Sequence, residues 1–314
     1  MDAVIFGLIV ADLIGEPIDL RHPPAPGGLV PIRSIQVTTG GNACNVALAM
    51  AKLGMQVSAA GLVGDDLLGR AVVERLQSGR VDTKCISVSN AGQTSATVVA
   101  VEPGGERCFF HAPGATTHID GALFRGYFPA FARCRFLQVG YFGLLPALTP
   151  ELPGLLAELR TLAPETKIAL DTVNPPGKWE QLQPILPFLD IFAPSRPEAT
   201  ALTGETDPVR MVAAFRRQMP RGLIGIKLDA EGCYLDDVRS TVRIPAAKVQ
   251  VVDTTGAGDA WFGGLLTALC REMPLEQAGR FASRVAADCC TALGASAGIQ
   301  SMADTLARMN EPVC

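Results

Sequence analysis

From Arg135 onward, short apolar runs alternate with longer stretches whose apolar residues recur at helical spacing. Residues 136–139, 167–170, 191–193 and 223–227 read as strands. Between and after them, residues 152–162, 179–186, 209–218, a stretch opening near Ala257 and 275–293 read as helices. Alternation of this kind predicts a doubly wound, mostly parallel α/β sheet with helices on both faces. The opening run Val4-Ile5-Phe6-Gly7-Leu8-Ile9-Val10 is continuously apolar, as expected of a strand buried on both faces. Residues 42–53 then carry apolar side chains at helical spacing, and Gly54 closes them as a C-terminal cap. A strand over 57–63 and a helix over 67–77 follow.

Two stretches do not suit such a layer. Residues 15–39 are rich in proline and glycine and end in an alternating apolar–polar run, 32–38. Residues 93–110 read as a hairpin around Pro103-Gly104-Gly105. Strands with one wet face belong to a separate small β-sheet, so we expect one domain over 1–314 with lid segments near 13–39 and 93–112 inserted in it.

The 314 residues carry a net charge of −4, with an isoelectric point near 5.5. No electrostatic footprint for nucleic acid or an anionic membrane is present. The apolar start, residues 3–11, is far short of the roughly 20 residues that a bilayer crossing needs. Asp2 stands where a leader peptide would carry basic residues, so a first strand is the expected reading. The nine cysteines include no CxxC pair, which points to buried thiols in a reducing cytoplasm. His22, His111 and His118 lack metal-ligand spacing.

The chemistry is concentrated in Val251-Val252-Asp253-Thr254-Thr255-Gly256-Ala257-Gly258-Asp259-Ala260-Trp261-Phe262. An apolar segment leads into a turn of small residues that opens a helix. Backbone N–H groups of Gly256, Ala257 and Gly258 can approach an oxyanion there, aided by the helix N-terminus. Asp259 would repel a phosphate unless it accepts a proton from an attacking group. That combination suits phosphoryl transfer to an alcohol. The bland alternative makes Asp259 a helix-capping acid. The P-loop pattern GxxxxGK[ST] occurs nowhere, and GxGxxG fails because Trp261 stands at the last glycine position, which disfavours a dinucleotide-dependent oxidoreductase.

Residues 253–262 resemble the C-terminal signature of the ribokinase-like, or PfkB, carbohydrate kinases. Gly40-Gly41-Asn42-Ala43-Cys44-Asn45-Val46-Ala47 resembles their N-terminal signature, and Gly61-Leu62-Val63-Gly64-Asp65-Asp66-Leu67-Leu68-Gly69 the block that follows it. The resemblance spans essentially the whole chain. It implies a doubly wound domain with a β-sheet lid, acting on a sugar hydroxyl, expected to be primary, with ATP and Mg²⁺. By the same resemblance Asp259 is the catalytic base, and Gly256, Ala257 and Gly258 are the anion hole. Asp12, Gly40, Gly41 and Asn45 would hold the substrate, with Asn174 and the lid residue Arg107 as further contacts. Ser195, Lys227, Gly232 and Thr254 fall on the nucleotide side, and Glu198 would hold Mg²⁺ through water. Asp253 and Thr255, with the turn Gly294-Ala295-Ser296, match places where some members bind K⁺.

Several positions depart from the family pattern. Ser195 stands where the motif Asn-x-x-Glu has asparagine, and Asp229 where glycine is usual. Pro175-Pro176-Gly177-Lys178 follows Asn174 where members acting on acidic sugars carry an arginine, and lysine lacks the planar fork that grips a carboxylate. Two alternatives stay open: a nucleoside kinase of the same fold, using Phe109, Phe110, Tyr141 or Phe142 against a base, and a non-catalytic sugar or nucleotide sensor. An apolar inner lid face made of Ile32, Ile35, Val37, Val99 and Val101 would allow a homodimer through the lid.

Overall fold

In the computed structural model, which describes residues 1–174 and 177–309, the apolar run 4–10 is divided between two sheets. Strand β1 (Ala3–Phe6) lies inside a nine-stranded sheet, whereas β2 (Val10–Glu16) runs into a four-stranded one. The single strand expected from apolarity alone is therefore corrected. The break falls at Gly7, whose φ of +155° and lack of a side chain admit the buried Asn42 amide. Asn42 Oδ1 accepts the Leu8 N–H at 3.1 Å, and Nδ2 donates to the Phe6 carbonyl at 3.4 Å. Those bonds satisfy backbone groups that the interrupted ladder would otherwise leave unpaired.

The remaining strands are β3 (Ser34–Gly40), β4 (Val57–Gly64), β5 (Asp82–Ser89), β6 (Ser95–Val101), β7 (Arg107–Ala112), β8 (Phe136–Phe142), β9 (Lys167–Thr172), β10 (Ile191–Phe192), β11 (Leu223–Lys227), β12 (Cys233–Asp236) and β13 (Thr241–Ile244). The large sheet has the order β13-β12-β11-β10-β9-β8-β1-β4-β5. It is parallel except where β12 pairs with β11 and with β13. Edge strand β5 is only half-buried along its length, and the β12–β13 hairpin is short, so neither follows the apolar rhythm that marks the inner strands.

Helices α1 (Asn42–Lys52), α2 (Leu67–Ser78), α3 (Gly121–Gly126), α4 (Phe128–Phe131), α5 (Leu152–Leu162), α6 (Trp179–Leu182), α7 (Arg196–Thr203), α8 (Pro208–Arg216), α9 (Ala257–Cys270), α10 (Leu275–Cys289) and α11 (Met302–Met309) cover this sheet. Two apolar cores result. One gathers Met50, Leu265, Phe262 and Phe281 from α1, α9 and α10. The other gathers Phe6, Phe124, Phe131 and Phe215, with Phe6 and Phe124 edge to face at 4.9 Å. The doubly wound architecture with a smaller accessory sheet agrees with the sequence reading.

That accessory sheet has the order β3-β2-β6-β7, with β2 and β6 parallel and the outer pairs antiparallel. Register puts Asp12, Thr38, Thr97 and His111 in one cross-strand row, and Val37, Leu13, Val98 and Phe110 in the next, on the opposite face. Ile35 and Val37 therefore point away from Val99 and Val101, and the single apolar lid face expected from sequence is split between two sides. Val99 and Val101 are buried, whereas Ile35 is 71% and Phe110 57% exposed.

Candidate active site

The loop after β13 ends in Gly256, which adopts a left-handed φ of +74° and opens helix α9. A side chain there would overlap Ala295, so the turn requires glycine. Asp259 follows in the first turn of α9, buried at 4% exposure. Its Oδ2 accepts from Asn45 Nδ2 at 2.8 Å and from the Tyr141 hydroxyl at 2.9 Å. Asn45 comes from the start of α1 and Tyr141 from the end of β8, where it takes a φ of +55°. Burial raises the Asp259 carboxyl above its ordinary value, while the Asn45 and Tyr141 bonds and the Lys227 charge oppose that rise. Asn45 Oδ1 is buried with no partner in the protein, an acceptor left for a donor from outside.

On the lid side, Asp12 packs against Gly40, where any Cβ would overlap its carboxylate. Gly41 has a φ of +80°, and a Cβ there would overlap the Leu8 carbonyl. The two glycines thus let the strand end pass close to Asp12 before α1 begins. Burial pushes the Asp12 carboxyl up to about 6, with the Thr97 hydroxyl holding it down.

Asp259 also lines a cavity of about 250 Å³. Gly256, Ala257, Gly258, Thr254, Ser195, Glu198, Lys227 and Gly232 all line it, together with Asp171, Asp229 and Tyr141. Within the turn, the Ala257 N–H donates to the Thr254 carbonyl at 3.2 Å. Lys227, at the end of β11, donates to Asp171 Oδ1 at 2.8 Å, at the far end of β9. Burial pushes the Asp171 carboxyl up to about 7, against the Lys227 charge. Burial would lower Lys227, but Asp171, Glu198 and Asp259 outweigh it and raise its ammonium above the ordinary value. Three acidic side chains thus favour the charged form of Lys227.

Glu198 Oε2 accepts the Ser195 N–H at 2.7 Å and the Thr172 hydroxyl at 2.8 Å. Ser195 thus caps the start of α7 in a capping box with Glu198. Among the described residues no group of three His, Cys, Asp or Glu side chains forms a metal cage. A magnesium ion carried on phosphates needs only one or two carboxylates and keeps its waters, and Glu198 at the cavity wall fits that demand. Asp229 has a φ of +53°, which explains why glycine suits this position, and aspartate is among the few other residues that tolerate it.

Two residues lie apart from this grouping. Asn174 is exposed beside Pro175 and Pro176, which fall outside the described residues. Arg107, read from sequence as a substrate contact or a solvated hairpin residue, is only 11% exposed and pairs with Asp253 Oδ1 at 2.6 Å. Sequence reasoning offered Tyr141 only as an aromatic that could face a base, not as a partner of Asp259, and gave Asp171 no site role. Asp171 left one usable signal, an acid closing an otherwise apolar strand.

Residues 2–302 match the model of the pfkB family carbohydrate kinases. A ribokinase of Haemophilus influenzae is 27% identical over 96% of each chain. Fructokinase-1 of Oryza sativa subsp. japonica is 30% identical over 86% of this chain and 88% of its own length. In fold, the chain is similar to an Arabidopsis thaliana ribokinase complexed with ribose and ATP, at a TM-score of 0.82, 20% identity and 99% of each chain. With the family's signature turn built around a buried carboxylate and its model matched over nearly the full length, the chain belongs to the pfkB family of carbohydrate kinases, which phosphorylate a sugar hydroxyl with ATP.

Proposed function

We infer that this chain transfers the γ-phosphoryl group of ATP to a primary hydroxyl of a sugar or sugar-like molecule, with Asp259 as the general base. The observation that carries this reading is the position of Asp259. It stands at a helix N-terminus, held by Asn45 and Tyr141, and lines the cavity that also holds Lys227. Asp12 and the unpartnered Asn45 Oδ1 accept hydrogen bonds from sugar hydroxyls and orient the sugar. The reacting hydroxyl oxygen forms a bond to the γ-phosphorus as the bond to the β-phosphate oxygen breaks. Its proton passes to Asp259, and ADP leaves with the electron pair. A carboxyl raised above its ordinary value by burial is the stronger base for this task.

The α9 N-terminus at Gly256–Gly258 and the Lys227 ammonium offset charge on the phosphoryl oxygens. Magnesium bound with ATP adds further charge neutralisation, and Glu198 is the residue that would hold it through water. Closure of the four-stranded lid over the sugar would exclude water and suppress idle ATP hydrolysis.

The exposed row Val37, Val98 and Phe110, with Ile35 beside it, favours a second copy of this chain as the partner of the lid's outer face. ATP as substrate and eight described cysteines that are all free favour the cytoplasm. Among the described residues no helix is long and apolar enough to cross a membrane. ATP consumption measured across ribose, fructose, ketodeoxygluconate, inositol and nucleosides tests the reading. Turnover on one sugar supports it and names the substrate. Turnover on a nucleoside alone would select the alternative kinase, and binding without turnover on any compound would select the sensor.

A further inference from the structure

The turn that precedes the anion hole is the place where family resemblance implies a monovalent cation, and its donor set does not suit one. Both Asp253 oxygens are engaged. Oδ1 pairs with Arg107 Nη1 at 2.6 Å and accepts the Thr255 N–H at 2.9 Å, and Oδ2 accepts the Gly294 N–H at 2.6 Å. Arg107 Nη1 also donates to Thr255 Oγ1 at 2.5 Å. The carbonyls of Thr255 and Ala295 accept from the buried Cys289 thiol at 3.6 and 3.1 Å. One residue further along the facing turn, Lys52 Nζ donates to the Ser296 carbonyl at 2.6 Å. A potassium ion on this carboxylate would meet a fixed guanidinium already in contact with it, in a site too buried for water to screen the repulsion.

We propose that Arg107 is a positioning residue that supplies from the lid the positive charge a monovalent cation would otherwise supply at the Asp253–Thr255 turn. Arg107 begins β7 of the lid, and Thr255 stands two residues before the first residue of α9. Seating the lid and ordering the anion turn thus become one event, made by one side chain, with no ion taken up from solution. The guanidinium suits the place because the two N–H groups of Nη1 serve the carboxylate and the hydroxyl together and its charge does not titrate away. The catalytic arm of the test rests on the carbohydrate-kinase reading. The binding arm does not.

Wild type, Arg107→Ala and Arg107→Lys are compared in potassium chloride and in tetramethylammonium chloride at equal ionic strength, by melting temperature and by kcat/KM. The wild type should differ less than about twofold between the salts, since its turn already holds a fixed cation. Arg107→Ala should lose about tenfold or more in tetramethylammonium and recover part of it in potassium, because it leaves Asp253 buried without its counter-charge. Its melting temperature, read without any substrate, should rise by about 3 °C in potassium relative to tetramethylammonium. Arg107→Lys keeps a charge and should fall between the two, which preserves the test if the alanine variant fails to fold. Potassium activation of the wild type by tenfold or more would overturn the proposal. So would an Arg107→Ala loss that no monovalent cation relieves, or an alanine variant equal to wild type in both salts. A wild type that turns over nothing while Arg107→Ala still melts higher in potassium would sink the kinase reading and leave this one standing.

Discussion

The two sheets of this molecule are built on opposite rules, and the site draws on both. In the nine-stranded sheet the inner strands are buried on both faces, and the chemical groups sit where those strands end: Tyr141 on β8, Asp171 on β9 and Lys227 on β11. This is the usual place for ligands in an open α/β sheet. Helix α9 then brings Asp259 to the same rim. Asp171 and Asp259 are buried there, and the Lys227 ammonium answers to both. In the four-stranded sheet one face carries Asp12, Thr97 and Arg107 toward the rest of the molecule, while the other leaves Ile35, Val98 and Phe110 exposed. On the proposed reading the buried rim does the chemistry, and the half-open sheet recognises and covers the sugar. Substitutions in the first should therefore act on kcat or on stability, and those in the second on KM or on assembly.

Asp259→Asn tests the rim side most severely. It keeps the shape and one acceptor but removes the base, and kcat should fall by about 10³-fold, within the range of general-base contributions. Sugar KM should change only a few-fold. Lys227→Met comes next, because it leaves Asp171, Glu198 and Asp259 without their shared cation. Removing one partner of a buried pair costs about 3–5 kcal/mol, to be read by denaturant unfolding, and the KM for ATP should rise in parallel.

Asp12→Asn probes the lid side and should raise sugar KM by about tenfold or more with kcat nearly unchanged, as expected on losing hydrogen bonds to a charged acceptor. Asp12 also sets a pH dependence. With its carboxyl pushed up to about 6, substrate affinity should weaken as pH falls through that value and the acceptor becomes protonated. Stability runs the other way. The folded value lies above the unfolded value of 3.8, so the stabilising contribution is complete below 3.8 and lost as pH rises through about 6. Asp12→Asn should therefore melt higher than wild type at pH near 8 in the absence of sugar, while showing little gain at low pH. The smallest effect belongs to the outer lid face. Replacing Phe110 by serine should change unfolding free energy by no more than about 0.5 kcal/mol, yet shift the sedimentation coefficient toward that of a single chain. An unchanged sedimentation coefficient would remove the second copy as the partner of that face.

Much of this layout was legible in the sequence because it rests on local patterns. The apolar rhythm from residue 136 onward marks buried parallel strands, and the small-residue turn before Asp259 marks the start of α9 at the cavity. The glycines of both signatures were legible for the same reason: Gly41 and Gly256 adopt backbone angles that other residues resist. What stayed hidden depends on contacts between distant segments. No local pattern says that Tyr141 meets Asp259 across 118 positions, or that Arg107 crosses 146 positions to Asp253. Apolarity alone also misread residues 4–10. The division at Gly7 comes from Asn42, which enters from a different element and takes over the backbone bonds. The outer face of the lid was misassigned because β2 joins β3 to β6, and only that register decides which apolar residues share a side.

The central claim is that Asp259 drives transfer of a phosphoryl group from ATP to a sugar hydroxyl. Its most direct test is phosphorus NMR of the products formed from ATP and the sugar that supports turnover, for wild type and Asp259→Asn side by side. The account predicts a phosphate monoester resonance that grows in step with ADP in the wild type and is nearly absent in the variant over the same interval. Free inorganic phosphate in place of the monoester, or the same ester formed at the same rate by Asp259→Asn, would contradict it.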